Sequence, residues 1–302
     1  MSNAQPLTIP ELPTPPAGAR NFMLVVLDSL RYDSWVAAAP KNLGRLGEVQ
    51  KRYSYATWTP PSHYNMLMGM MPHSLPVGTP TVTYIQEGIK NLADNLQIDV
   101  AEFARKHVPS LFLPTFFRSL GYHTRALVSM PVLNSRTIIG RDFESYSRMK
   151  KHNDMAAMLD LIEFDSDRPT FYLLNIGETH YPYATPGDDA ARWPHLSGVH
   201  GAVQLMGAPA PGDRAAPRML TMTEMREAHD RQINAVNYVD GLFGTLFERV
   251  PEDTYLIVTA DHGDLFGEDG MFGHGPVIHE KVLEVPLVEG LAPRHNGSGV
   301  AS

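Results

Sequence analysis

The chain has 302 residues, a length that corresponds to one large domain or two small ones. Its apolar share of 43% and charged share of 19% are ordinary for a globular protein and argue against overall disorder. The formal net charge of −8 disfavours a nucleic-acid-binding surface, so we expect no nucleic-acid partner. The sequence contains no cysteine, which excludes disulfides, zinc–thiolate sites and thiol nucleophiles.

The first 20 residues are predicted to lie outside the folded domain. MSNA at the start resembles an expression tag, and residues 5–20 form a proline-rich tail without an apolar run. The longest apolar stretch, FMLVVL at 22–27, is far shorter than the roughly 20 residues that a membrane-spanning helix needs. We therefore expect a single domain over 21–302, a cytoplasmic location and no membrane span, with the oligomeric state left open.

Strand and helix patterns alternate along the chain, and this alternation predicts an α/β fold. In chain order they predict a strand at 22–28, a helix at 41–50, a short strand at 54–57, helices at 62–70 and 114–122, a strand at 123–129, a helix at 154–162, a strand at 170–176, a helix at about 222–248 and a strand at 254–260. A proline- and glycine-rich segment at about 182–218 is too long to be a simple connector, so we predict a lid or substrate loop there.

Three of the predicted strands are apolar runs that end in polar residues. The polar residues that follow these strands are Asp28, Glu178, His180, Asp261 and His262. In open α/β sheets, ligands bind beyond the carboxyl ends of the strands. The sequence therefore predicts that these residues share one site.

Two segments near these strand ends suggest metal and nucleophile chemistry. Asp261, His262 and Gly263 combine a carboxylate, an imidazole and a glycine that permits close backbone approach, which suits a divalent metal. Thr59 precedes a predicted helix N-terminus, where free N–H groups favour an anionic group. Its hydroxyl would be a nucleophile if a metal lowered its pKa. The structural alternative is that Asp28 and Thr59 are only turn or capping residues.

Histidines near these segments are candidates to contact an anionic substrate. His63 closely follows Thr59, and His274 and His279 follow the DHG sequence within FGHGPVIHEK. A lone histidine is more often structural, but several beside strand-end acids favour a functional role.

Four segments, taken in order, resemble the sulfatase-like branch of the alkaline phosphatase superfamily. They are VVLDSLRYDSW near the start, then TPPSHYNMLMG, then THYPY, and finally TADHGDLFGEDGMFGHGPVIHEKVLEVPL. The resemblance covers about residues 21–290. It implies an α/β fold with a central mixed β-sheet sandwiched by helices, and it implies that the C-terminal subdomain of larger sulfatases is absent.

The resemblance also implies roles for individual residues. Asp28, Asp261 and His262 match metal ligands, and Thr59 matches the nucleophile that also contacts the metal. The ligand types suit Mn, Mg, Ca or Zn and do not choose among them.

The transferred group would be contacted by histidines. His180 matches a family histidine with this role, and His274 stands where many sulfatases have a lysine. His63 replaces the arginine of the nucleophile motif, and Ser29 replaces the second acid of the first metal motif.

The residue at the nucleophile position separates this chain from typical sulfatases. Family sulfatases have a Cys or Ser there that is converted to formylglycine, and threonine cannot be converted in this way. Threonine nucleophiles are typical of nucleotide pyrophosphatases, lipoteichoic acid synthases and phosphoethanolamine transferases, which act on phosphate esters.

These observations favour a metal-dependent hydrolase or transferase of phosphoric, or sulfuric, esters. Its catalytic residues would be Thr59, His180 and His274, and a covalent phospho-threonine would form. His63 and His279 would assist in binding a small anionic ester.

Two alternatives stay open. In the first, a two-metal phosphodiesterase or phosphatase of the same superfamily holds the second ion through Glu178, His180, and His274 or His279. In the second, the chain is a non-catalytic sulfatase-like binding protein.

Overall fold

The computed structural model describes residues 18–74, 90–91, 93–102, 111–188, 220–275 and 277–294. A seven-stranded sheet lies at the centre, and helices pack on both of its faces. Its strands are β1 (Asn21–Leu27), β2 (Gln50–Tyr53), β3 (His123–Val128), β4 (Ser145–Arg148), β5 (Thr170–Ile176), β6 (Thr254–Thr259) and β9 (Glu284–Leu291), and β7 (Leu265–Phe266) with β8 (Phe272–Gly273) forms a separate two-stranded sheet. The predicted α/β fold with a central mixed sheet is confirmed. Most of the predicted tail, and residues 189–218 of the predicted loop, lie outside the described residues.

The strand order explains why the strand-end residues meet. The order across the sheet is β2–β9–β6–β1–β5–β3–β4. The five strands from β6 to β4 are parallel to one another, whereas β9 runs antiparallel to β6 and β2. Because β6, β1 and β5 are parallel neighbours, the residues that follow them lie side by side at one edge of the sheet.

Helices bury both faces of β1, which is why its sequence is a continuous apolar run. The helices are α1 (Tyr32–Ala38), α2 (Thr59–Leu67), α3 (Leu113–Ser119), α4 (Met155–Leu159), α5 (Met222–Arg249) and α6 (Glu280–Leu283). Val25 of β1 belongs to the core cluster that includes Trp35 of α1 and Phe243 of α5. Val26, on the opposite face, belongs to the cluster that includes Leu67 of α2. No helix in the described part of the chain is long and apolar enough to cross a membrane.

The long helix α5 connects two of the loops that carry the predicted site. It begins with a capping box: the Thr221 side chain accepts from the backbone N–H of Glu224, and the Glu224 carboxylate accepts from the backbone N–H of Thr221. One face of it buries Gln232, whose Nε2 donates to the carbonyls of Ser29 (2.8 Å) and Thr179 (3.0 Å). These bonds hold the segments after β1 and β5 against the same helix.

Two elements near the amino-terminal end differ from the sequence prediction. The helix predicted at 41–50 is wrong: a short 3-10 turn, Leu43–Arg45, is followed by strand β2. The carboxylate of Asp240 accepts hydrogen bonds from three successive backbone N–H groups there, which holds the segment in a turn. The short strand predicted at 54–57 is also wrong, because the residues that pair with β9 are those of β2.

Candidate active site

Three buried side chains from two neighbouring strand ends form a cluster suited to a cation. Asp28 follows β1, and Asp261 and His262 follow β6; one ligand atom from each lies within 4.8 Å of the others. Asp261 Oδ1 accepts hydrogen bonds from the backbone N–H groups of Ser29 and His262, both at 3.0 Å. Asp261 Oδ2 has no hydrogen-bond partner within the described ranges. A buried carboxylate oxygen without a partner is costly, so this atom fits the role of a metal ligand.

The protonation of these three residues also fits a divalent cation. Burial and the nearby Asp261 carboxylate raise the pKa of Asp28 well above its usual range. Burial lowers the pKa of His262 to about 4, so its ring is neutral near pH 7. His262 Nδ1 donates to the carbonyl of Gly263 (3.1 Å), which leaves the lone pair on Nε2. Two acids that repel each other and a neutral imidazole are the donor set that a divalent metal would satisfy.

The hydroxyl of Thr59 adjoins this cluster. Helix α2 begins at Thr59 and has proline in its first turn, where the missing N–H costs nothing. Thr59 Oγ1 lies 3.5 Å from Asp28 Oδ1 and 3.3 Å from His262 Nε2. Ser62, at which the predicted helix 62–70 begins, is instead inside the helix, and its hydroxyl donates to the carbonyl of Asp261.

His63 lies one turn after Thr59 on α2 and is fully buried. Its Nδ1 donates to the carbonyl of Thr59 (2.9 Å) and is 3.6 Å from Asp261 Oδ2. Its Nε2 is 3.3 Å from Nδ2 of Asn175. Burial lowers the pKa of His63, which favours a neutral ring. Both ring nitrogens of His63 contact protein groups beneath Thr59. The predicted contact of His63 with substrate therefore stays a prediction, and the position of the ring does not favour it.

His274 lies against His262 of the cluster, and His180 lies against His274. The ring centroid of His274 is 4.2 Å from that of His262 and 5.5 Å from that of His180. His180 Nδ1 donates to the carbonyl of Tyr181 (2.9 Å). A row of two imidazoles, His274 and then His180, therefore extends from His262.

A buried carboxylate that the sequence analysis missed holds His274 in place. Asp264 Oδ1 accepts from His274 Nδ1 and Asp264 Oδ2 accepts from the Tyr183 hydroxyl, both at 2.7 Å. Burial alone would raise the pKa of Asp264. His274 and the neighbouring histidines nevertheless hold this pKa well below its usual range. Asp264 is therefore ionised and orients the imidazole of His274.

The predicted second-metal set is not brought together. Glu178 Oε1 accepts from the backbone N–H of Met155 (2.6 Å) at the start of α4. His279 Nδ1 accepts from the backbone N–H of Lys281 (3.0 Å), and its Nε2 is 3.7 Å from a carboxylate oxygen of Asp269. Neither Glu178 nor His279 belongs to a ligand cluster among the described residues. A second cluster does exist, formed by His262, Asp264 and His274, but both Asp264 oxygens already accept protein hydrogen bonds.

The fold and the site together define a class: a mixed-sheet α/β protein with a buried strand-end cluster, an adjoining hydroxyl and two flanking imidazoles. The family model described as Sulfatase matches residues 20–288. The chain therefore belongs to the sulfatase family. No curated protein matches the chain.

Solved structures with the same fold include three different proteins. The phosphonate monoester hydrolase SpPMH from Silicibacter pomeroyi is 16% identical, with a TM-score of 0.54 over 90% of this chain and 68% of that protein. BT1596, a 2-O GAG sulfatase, is 14% identical, with a TM-score of 0.53 over 90% and 64%. The C-terminal periplasmic domain of EcEptC from Escherichia coli is 12% identical, with a TM-score of 0.52 over 91% and 73%. Identities this low establish the fold alone.

Glu178 is predicted to make stability fall as pH rises. Burial raises its pKa to about 7 from the ordinary value of 4.5, so the folded state binds more protons than the unfolded state between these values. The contribution of Glu178 to the stability of the wild type should therefore decrease from about pH 4.5 to about pH 7, whereas Glu178→Gln keeps the oxygen that accepts from Met155 and does not titrate.

Urea unfolding at pH 5 and pH 8 would measure this effect. We expect Glu178→Gln to be more stable than wild type at pH 8 and nearly equal to it at pH 5, with the exposed-site control Glu48→Gln matching wild type at both. If the difference in the free energy of unfolding between wild type and Glu178→Gln were the same at pH 5 and pH 8, the raised pKa of Glu178 would be contradicted.

Proposed function

We propose that this protein is a metal-dependent hydrolase or transferase of phosphoric esters that uses Thr59 as its nucleophile. The observation that carries the proposal is the position of Thr59 Oγ1, 3.5 Å from Asp28 Oδ1 and 3.3 Å from His262 Nε2. A helix cap would direct this hydroxyl towards backbone N–H groups. A hydroxyl beside a buried ligand cluster is instead the arrangement that nucleophilic catalysis requires.

Asp28, Asp261 and His262 would hold the cation. When bound, a divalent cation supplies Lewis acidity that lowers the pKa of an adjacent hydroxyl and stabilises negative charge on a transferred group. The two carboxylates and the neutral imidazole are fully buried, so little side-chain reorganisation is needed to bind it. This mixed oxygen and nitrogen set suits Mn, Mg, Ca or Zn.

Thr59 would carry out the covalent step. Its Oγ1, after losing its proton to solvent, attacks the phosphorus opposite the leaving oxygen, and the bond from phosphorus to that oxygen breaks. The product is a phospho-threonine and an alcohol, which takes up a proton. Water or an acceptor hydroxyl then attacks the phosphorus and loses a proton to solvent, the bond to Thr59 Oγ1 breaks, and Thr59 Oγ1 takes up a proton.

His180 and His274 would neutralise the oxygens of the transferred group. Asp264 accepts from His274 Nδ1 and the Tyr181 carbonyl accepts from His180 Nδ1, so each ring is oriented by the protein. A ring N–H held in this way can donate to an oxygen of a phosphoryl group. A non-catalytic binding protein would have no use for a hydroxyl beside the ligand cluster, so the arrangement around Thr59 favours an enzyme.

The cation is predicted to depend on Asp261. Asp261→Asn keeps the side-chain shape but removes the charge on the oxygen that lacks a protein partner. After equilibrium dialysis against Mn²⁺ or Zn²⁺, elemental analysis should find one ion per chain in the wild type and a large loss in Asp261→Asn. Asp253→Asn, at the opposite end of the sheet, is the control and should retain the ion. Equal metal content in Asp261→Asn and wild type would disprove the ligand assignment.

Thr59→Ala is predicted to abolish turnover and leave the fold intact. The Thr59 hydroxyl makes only long contacts, at 3.3 and 3.5 Å, so its removal should cost little stability. The neighbouring Thr57→Ala is the matched control; its hydroxyl bonds the carbonyl of Gly275, and its loss should spare turnover. Thermal unfolding and ester hydrolysis are measured for both. Near-normal activity of Thr59→Ala on any wild-type substrate would exclude Thr59 as the nucleophile.

Phosphate esters or diesters are predicted to be better substrates than sulfate esters. Formylglycine sulfatases expel sulfate with the second hydroxyl of an aldehyde hydrate, and Thr59 has no such group. A phospho-threonine can instead be cleaved by attack of water or an alcohol at phosphorus. The test compares p-nitrophenyl phosphate, bis-p-nitrophenyl phosphate and p-nitrophenyl sulfate with Mn, Mg, Ca and Zn. The proposal fails if the sulfate is the best substrate.

A further inference from the structure

A buried amide lies directly behind the candidate metal cluster. Asn175 is the penultimate residue of β5 and is fully buried. Its Oδ1 accepts from the backbone N–H groups of Ser129 (3.2 Å) and Met130 (3.1 Å), which follow β3. Its Nδ2 donates to Asp28 Oδ2 (2.8 Å) and lies 3.3 Å from His63 Nε2. These four contacts use the full hydrogen-bonding capacity of the side chain.

The partners of this amide determine its orientation. Backbone N–H groups only donate, so the atom that faces Ser129 and Met130 is the oxygen, and the NH₂ group faces Asp28 and His63. His63 Nδ1 faces the carbonyl of Thr59, which only accepts, so the neutral ring carries its proton on Nδ1. His63 Nε2 is then an acceptor, and the Asn175 NH₂ group supplies its hydrogen bond.

We propose that Asn175 is a positioning residue that fixes the Asp28 carboxylate for metal binding and the His63 ring beneath Thr59. The inference rests on the proposed function, because it assigns Asp28 to the cation. Donation to Oδ2 restrains rotation of the carboxylate and leaves Oδ1 towards Thr59, 3.5 Å from its hydroxyl. The same amide holds His63, whose Nδ1 holds the first carbonyl of α2. One side chain thus sets the relative position of the ligand and the nucleophile.

A matched residue in the same sheet allows a purely structural role of Asn175 to be distinguished from a role in positioning Asp28. Asn21 is also buried and lies at the opposite, amino-terminal end of β1. Its Nδ2 donates to Asp253 Oδ1 and its Oδ1 accepts from the backbone N–H of Thr170, both at 2.9 Å. Asn21 therefore makes the same kinds of hydrogen bond as Asn175, but away from the cluster: its NH₂ group donates to a carboxylate, and its oxygen accepts from a backbone N–H. Leucine at either position removes these bonds with a similar change in volume.

The decisive experiment compares wild type, Asn175→Leu, Asn175→Ala and Asn21→Leu as full chains freed of metal. Affinity for Mn²⁺ and for Zn²⁺ is measured by isothermal titration calorimetry, and stability by urea unfolding. We expect both Asn175 variants to lose about tenfold or more in metal affinity, the effect typical of residues that orient a ligand. Asn21→Leu should lose stability and keep the affinity of the wild type. The alanine variant provides the same readout if the leucine variant does not fold.

Equal affinity in wild type and the Asn175 variants would overturn the inference and leave the proposed function standing. So would an equal loss in Asn21→Leu, because the effect would then follow stability alone. If the wild type itself binds neither ion, the failure lies in the proposed function.

A spectroscopic measurement tests the contact with His63 without any metal. In protein labelled with ¹⁵N-histidine, the His63 signals are identified by their absence in His63→Gln. We expect a neutral ring protonated at Nδ1 in the wild type, a changed Nε2 shift in Asn175→Leu and no change in Asn21→Leu. A ring protonated at Nε2 in the wild type would contradict the assigned orientation and overturn the inference.

Discussion

The repulsion between two buried carboxylates is the constraint around which this structure is organised. Asp28 and Asp261 end neighbouring parallel strands, and the ion pairs of the described residues include no lysine or arginine for either one. In those pairs Asp261 is matched only with His63 and His262, and burial disfavours the charged form of both rings. Two acids in such a place are tolerated when a cation binds between them. A bound cation, as proposed above, would relieve this repulsion.

Hydrogen bonds from side chains on neighbouring elements keep these two acids together. Gln232 of α5 bonds the segments after β1 and β5, and Asn175 bonds the ends of β3 and β1. Ser54 and Ser62 both donate to the carbonyl of Asp261, which attaches the start of α2 to the end of β6. Helix α2 thereby presents the Thr59 hydroxyl to the cluster, so the position of the proposed nucleophile depends on the same backbone as the proposed ligands.

The site residues that directly follow an apolar strand could be predicted from the sequence. An apolar segment followed by an acid or a histidine is a local pattern, so no knowledge of long-range contacts is needed to find it. Asp28, Glu178, His180, Asp261 and His262 were predicted in this way, and all five follow strands that end at one edge of the sheet. Glu178, however, bonds the start of α4 and belongs to no ligand cluster of the described residues. Strand β9 was missed because its pairing with β2 and β6 is a long-range event that its own composition does not reveal.

The supporting residues were missed for the same physical reason. The carboxylate of Asp264 is bonded by Tyr183, 81 residues away, and Asn175 bonds Asp28 across 147 residues. One usable signal was present: Asn175 is a lone amide inside an apolar strand, and a buried amide is costly unless it is fully bonded. His279, by contrast, follows the DHG motif in sequence, but its contacts are with Asp269 and Lys281 at the start of α6.

The central claim is that the reaction passes through a covalent bond to Thr59, and mass spectrometry of the trapped enzyme tests it most directly. The metal-loaded protein is mixed with a turned-over phosphate ester, quenched in acid during the first turnover and digested. The account predicts that one peptide gains a phosphoryl group and that fragmentation locates it on Thr59. A phosphoryl group on another side chain, or turnover with Thr59 unmodified at every quench time, would contradict it.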